Sequence, residues 1–84
     1  MSRMQEGNDW TMKEQKQATR DRIGQRIADL RKQLYMTQRD LSEAAGIGQA
    51  HLSRIEAGKY CLGVDTLARI VGAMGYRIDF VKDE

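Results

Sequence analysis

A mainly α fold is predicted for this 84-residue chain, with one short strand at its C-terminal end. Three observations predict it. Apolar residues recur at spacings of three and four from Ile23 to Leu34, and again from Leu67 to Met74, as one face of a helix requires. Between them, Thr37 to Gly58 reads as two short helices joined by a tight turn. After Gly75 the period changes to two, with Tyr76, Ile78 and Phe80 on one side, which is a strand signal.

Composition narrows the class. With 40% hydrophobic and 31% charged residues the chain is an ordinary globular sequence. At this length the core is modest, and association would add stability. The net charge of +2 is too small to imply a nucleic-acid partner, so placement of charge matters more than its sum. Cys61 is the only cysteine and His51 the only histidine, which excludes an internal disulfide and a cysteine-rich zinc site. No cofactor or metal is expected. No apolar run approaches the roughly 20 residues that span a membrane. The N-terminus lacks the apolar core of a signal peptide, so a cytoplasmic protein is expected.

Residues 1–20 are expected to be an N-terminal extension, 21–75 the main domain, and 76–84 a strand and tail. Met1 to Asp9 carries little apolar content and is expected to be mobile. Thr11-Met12-Lys13-Glu14 fits a capping box, which predicts a helix from about Met12. Trp10 precedes that cap and suits a hydrophobic staple. Trp10 and Met12 fit packing on the domain or a partner copy, or an extension that touches DNA or another protein. Thr19 or Asp21 can also cap, so a break before the next helix is open. From Ile23, the residues Ile27, Leu30 and Leu34 continue the apolar face, with Arg22, Arg26, Asp29 and Lys32 elsewhere. Gly24 costs about 1 kcal/mol relative to Ala inside a helix, which points to a helix start or a close contact.

Thr37 is a good N-cap, and Asp40 places a negative charge in the first turn. Leu41, Ala44 and Ala45 fall on one face. Gly46 follows, where a left-handed backbone is usual, and Ile47 plugs the turn into the core. A second helix runs from about Gly48 to Gly58. Its Leu52 and Ile55 point inward; Gln49, Ala50, Ser53 and Arg54 lie outside, with no large apolar residue among them, and His51 can fall on either side. Gln pairs with adenine and Arg with guanine through two hydrogen bonds each, and the Ala50 methyl suits a thymine methyl. A helix-turn-helix inserts such a helix into the DNA major groove. Two amphipathic helices of any small bundle are the bland alternative. The combination of Ala44, Gly46-Ile47, Leu52-x-x-Ile55 and Gly58 is far more specific than helix–glycine–helix.

These residues resemble the phage-repressor (Cro/cI-like, XRE-type) helix-turn-helix family. The matching positions are Thr37-Gln38, Leu41-Ser42, Ala45-Gly46-Ile47, Gln49, Leu52-Ser53, Ile55-Glu56 and Gly58-Lys59. They extend back to Ile23-Gly24 and Leu30-Arg31, and forward to Leu67 and Ala73-Met74-Gly75. The resemblance implies a compact domain of about five helices that binds operator DNA as a homodimer. It also implies that Arg31 pairs with Glu56 and ties the first helix to the DNA-reading one; ordinary exposed charge is the alternative. The family usually carries proline or serine after the position of Gly58, and this chain has no proline.

Gln49, Ala50, Ser53 and Arg54 are therefore expected to face bases. Gln38, Arg39, Lys59 and the backbone near Tyr60 are expected to hold phosphates, which position a protein without reading sequence. Gln38 can also brace Gln49. Cys61 reads as a small filler, since no activating base or second cysteine is in view. Val64-Asp65-Thr66-Leu67 opens another helix, with Leu67, Ile70, Val71 and Met74 inward and Gly75 at its end.

The strand over Tyr76, Arg77, Ile78, Asp79 and Phe80 has no partner in a helical chain. A second copy would supply one, antiparallel about a two-fold axis at Ile78, with Arg77 opposite the partner's Asp79. A palindrome-binding transcriptional repressor is the leading reading. The alternatives are an antitoxin that controls its own operon with a toxin as partner, and an interaction module that has lost DNA binding. Catalysis is not supported, because His51 and Ser53 are two apart on a helix and do not face each other.

Overall fold

The structure is a computed structural model that describes residues 11–83. The expected mobile tail Met1–Asp9 and the staple residue Trp10 lie outside the described residues. At Thr11 the capping box forms: its hydroxyl accepts from the Glu14 amide at 3.1 Å, and the Glu14 carboxylate accepts from the Thr11 amide at 3.0 Å. Helix α1 then runs without a break from Met12 to Gln33.

Neither Thr19 nor Asp21 interrupts it. The Thr19 hydroxyl donates back to the Gln15 carbonyl at 3.0 Å, and the Asp21 carboxylate accepts from the Gln17 amide at 2.9 Å. With both side chains used by the preceding turn, neither caps a new start. The five helices expected are therefore four among the described residues: α1, α2 (Gln38–Ala45), α3 (Gln49–Glu56) and α4 (Val64–Ala73). A second capping box starts α2, between Thr37 and Asp40. The hydrogen bonds from the Thr37 backbone and hydroxyl hold the Asp40 carboxyl below its ordinary range.

All four helices end in the same way. An amide just past each helix donates back five residues: Met36 to Arg31, Ile47 to Ser42, Lys59 to Arg54 and Tyr76 to Val71, at 2.9–3.0 Å. This bond needs a left-handed residue just before the donor. Glycine fills that place three times, at Gly46, Gly58 and Gly75, but after α1 it is Tyr35, with φ of 56°. The Tyr35 side chain is 94% exposed, so no burial offsets the strain. Relieving a non-glycine residue of this conformation is worth roughly 1 kcal/mol, partly offset by the greater freedom of glycine in the unfolded chain. Tyr35→Gly should therefore raise the melting temperature by a few degrees in a circular-dichroism melt. A lower melting temperature would show that the ring makes a stabilising contact.

The core forms where α1 packs on α3, and α2 on both α3 and α4. Leu41, Leu52, Ile55 and Ile70 are fully buried at its centre, joined by Ile27, Leu30, Ala45 and Met74. Ile23, Met36, Ile47, Leu62 and Leu67 pack around them. Two residues assigned to apolar faces lie outside: Leu34 has left the helix as its C-cap and is 44% exposed, and Ala44 is exposed.

The C-terminal segment corrects the sequence-based expectation. Residues 76–83 form no strand. Period-two alternation makes an extended segment favourable, but a ladder needs a second strand, and no other described segment supplies one. Instead Tyr76 and Ile78 lie along a groove between α1 and α4, with Ile23, Ile27, Leu30, Leu67 and Val71. Arg77 meets Asp79 of its own chain at 3.8 Å, and the Asp79 carboxylate accepts from the Phe80 amide at 2.8 Å. Phe80 is 96% exposed. The expected cross-strand pairing of Tyr76, Arg77, Ile78, Asp79 and Phe80 therefore has no basis in this fold.

Candidate nucleic-acid interface

Helix α3 has two unlike faces because Leu52 and Ile55 anchor it completely in the core. The opposite face then presents Gln49, Ala50, Ser53 and Arg54 to solvent, all exposed. Its N-terminus rests on Gly48, and no side chain caps its first amides. The partial positive charge at that end therefore meets no side-chain acceptor. From Gly46 to Gly63 the only acidic residue is Glu56, and its charge is consumed inside the fold. The exposed face of α3 thus offers amide, hydroxyl and guanidinium groups with no carboxylate of its own to repel an anion, and the following loop adds the Lys59 ammonium.

Glu56 is held by three donors. The Arg31 guanidinium grips it with both prongs, Nε to Oε2 at 2.8 Å and Nη2 to Oε1 at 3.0 Å. The side chains are only 10% and 6% exposed. The third Arg31 nitrogen, Nη1, donates to the Met36 carbonyl at 2.9 Å. Hydrogen bonding to Glu56 raises the Arg31 pKa above its ordinary value; burial opposes this, and the nearby negative charge adds to the rise. The third donor is the Gln38 amide, to Oε1 at 2.9 Å. This one carboxylate therefore fixes α1, the start of α2 and the end of α3 relative to one another.

The other candidate phosphate residues are placed as follows. Gln38 has its amide nitrogen on Glu56 rather than free. Arg39 lies on the surface, 3.4 Å from Glu43, with both side chains more than 70% exposed. An exposed pair of this kind is worth at most about 1 kcal/mol, so a phosphate can replace Glu43. The Lys59 side chain is exposed, while its backbone amide is used in capping α3. Tyr60 stands edge-on to the His51 ring, with centroids 4.5 Å apart at 75°.

His51 is the ambiguous member of α3 by spacing, and the fold turns it inward. It is half-buried, and its Nε2 has no hydrogen-bond partner among the described residues. Sequence inspection missed its pairing with Tyr60, which sets the position of the loop after α3. The nine-residue separation of these two aromatic rings carries no periodic signal that could have revealed it. Cys61 is exposed beside Lys16, Thr19 and Arg20 of α1 rather than buried as a filler.

Comparison with known proteins agrees with this geometry. Residues 27–81 match the helix-turn-helix family model. An immunity repressor protein of Bacillus phage phi105 is 34% identical over 62 residues, spanning 74% of this chain and 43% of that protein. An ImmF control region 10 kDa protein of the same phage is 31% identical over 61 residues, spanning 73% of this chain and 68% of that protein. No solved structure is significantly similar. Helices α2 and α3, joined at Gly46-Ile47 within the matched region, are the helix-turn-helix itself, and the chain belongs to the XRE-type helix-turn-helix family of DNA-binding transcriptional regulators.

Proposed function

We propose that this chain is a transcriptional repressor that binds a palindromic operator as a homodimer in the cytoplasm and performs no catalysis. The observation that carries the reading is the carboxylate-free polar face of α3, set opposite the fully buried Leu52 and Ile55. Gln49, Ala50, Ser53 and Arg54 contact base edges in the major groove, where Gln and Arg make bidentate bonds to adenine and guanine. Arg39, Lys59 and the backbone near Tyr60 hold phosphates, and Gln38 stiffens the start of α2 through Glu56. A two-fold dimer presents its two copies of α3 about 34 Å apart, on successive turns of one face of the duplex. The repressor named among the relatives supports control of transcription by this module.

Selection of bound sequences from random duplex DNA tests the whole reading, with enrichment of a palindrome as the expected result. Two substitutions then separate base from phosphate contacts on the selected site. Arg54→Ala should weaken binding by about 1–3 kcal/mol and relax base preference at one position of each half-site. Lys59→Ala should weaken all sequences alike and flatten the dependence of affinity on salt. Identical behaviour of the two variants would remove Arg54 from the bases.

A further inference from the structure

We infer that the N-terminal half of α1 is a second phosphate-binding element, continuous with the loop after the recognition helix; this rests on the DNA-binding reading above. Lys13, Lys16, Gln17, Arg20 and Gly24 follow at steps of three, one, three and four, and so share one face of α1. The C-terminal end of that face is docked. At Gly24 the helix lies directly against the Ile55 and Glu56 carbonyls at the end of α3. One turn earlier, Asp21 abuts Gly58. One turn earlier again, the Gln17 amide donates to the Gly58 carbonyl at 2.8 Å. Lys16, Thr19 and Arg20 border one shallow hollow with Cys61.

The face that carries these cations is therefore held against the chain segment that includes Lys59 and Tyr60. On this face Lys13 and Lys16 are exposed, Lys13 one turn beyond the hollow shared with Cys61, and Arg20 is half-buried behind them.

The two nearest carboxylates do not cancel this charge by pairing with it. Glu14 is bonded to the Thr11 amide, and Asp21 to the Gln17 amide. Lys13, Lys16 and Arg20 have no salt bridge among the described residues. Three cations on one helix face, beside a loop that already carries Lys59, fit a polyanionic backbone passing that loop. The capping box at Thr11 and Glu14 keeps this part of α1 helical and its cations in line. The element lies outside residues 27–81, the part matched by the helix-turn-helix family model. It adds affinity without base preference, because phosphates carry no sequence information.

The test is the salt dependence of binding to duplex DNA for the full chain, by fluorescence anisotropy, with the selected site and an unrelated duplex. Lys13→Gln/Lys16→Gln should reduce the slope of log affinity against log salt by about 0.9 for each phosphate no longer neutralised, roughly 1.8 in all. Both duplexes should be weakened alike, and the melting temperature should stay at the wild-type value. Arg22→Gln/Arg26→Gln removes the same charge from another face of α1 and should leave the slope unchanged. An equal fall in both double variants would mean a general charge effect and overturn the inference. So would a wild-type slope for Lys13→Gln/Lys16→Gln while Lys59→Ala shows a reduced one, with the DNA-binding reading left intact. If the wild-type chain shows no salt-dependent binding to any duplex, the DNA-binding reading fails and this inference falls with it.

Discussion

Glu56→Ala should destabilise the domain by about 3–5 kcal/mol, the usual cost of leaving one partner of a buried ion pair uncompensated. For a domain of this size each kcal/mol lowers the melting temperature by roughly 4–8 °C, so the variant should melt about 12–40 °C below wild type. The cost is large because Glu56 serves three segments at once. Without it, the Arg31 guanidinium keeps only the Met36 carbonyl, and the Gln38 amide loses its acceptor. Both groups would remain in a site from which water is mostly excluded. The effect should not be read as the net worth of the pair, because the charges also lost hydration on folding. Arg31→Met/Glu56→Leu separates the two quantities: it removes both charges and should recover much of the stability lost by either single change. A Glu56→Ala melt that matches wild type would show the pair to be solvated.

Gly24→Ala should be the second largest loss, although alanine is the better helix former. Alanine gains about 1 kcal/mol over glycine in a helix interior. Here the added methyl would lie 2.8 Å from the Glu56 carbonyl oxygen and closer still to that of Ile55. Both are backbone atoms at the end of α3, so no side chain can rotate away. Relief requires α1 and α3 to move apart, which strains Arg31–Glu56 and opens the core between Ile27 and Ile55. Overpacking of this kind costs about 1–3 kcal/mol and sometimes more. Urea unfolding should give a lower midpoint than wild type. An increased midpoint would mean that the helix crossing is looser than these distances imply.

Much of the DNA-reading unit was legible in the sequence. Thr37 and Asp40 announce the start of α2, Gly46 its end, and Leu52 and Ile55 the buried side of α3. Once those two residues are inside, helical geometry alone puts Gln49, Ala50, Ser53 and Arg54 outside. These features are local, since each depends on residues within a turn or two of one another. The Arg31–Glu56 pair came from the family resemblance rather than from spacing, as 25 residues separate the two side chains.

The extension and the C-terminus were less legible, for opposite reasons. Thr19 and Asp21 are good caps by residue type, but a cap is used only where the preceding helix stops, and here it continues on its own hydrogen bonds. Tyr76 to Phe80 has the period of a strand, yet strand formation is a property of two segments, and a periodic pattern reports only one.

By itself, then, the sequence determined the helical class, the helix-turn-helix and the residues that its outer face presents, because each follows from short-range spacing and capping chemistry. The tertiary structure alone decided that α1 is a single helix lying on the carbonyls of α3 at Gly24. It alone decided that Gln38 is spent on Glu56 and that His51 turns inward to Tyr60. It also brought the Lys13, Lys16 and Arg20 face beside the loop that carries Lys59. Those facts depend on which surfaces meet when distant segments pack, and that is set by the shape and burial of the whole core rather than by any local run of residues.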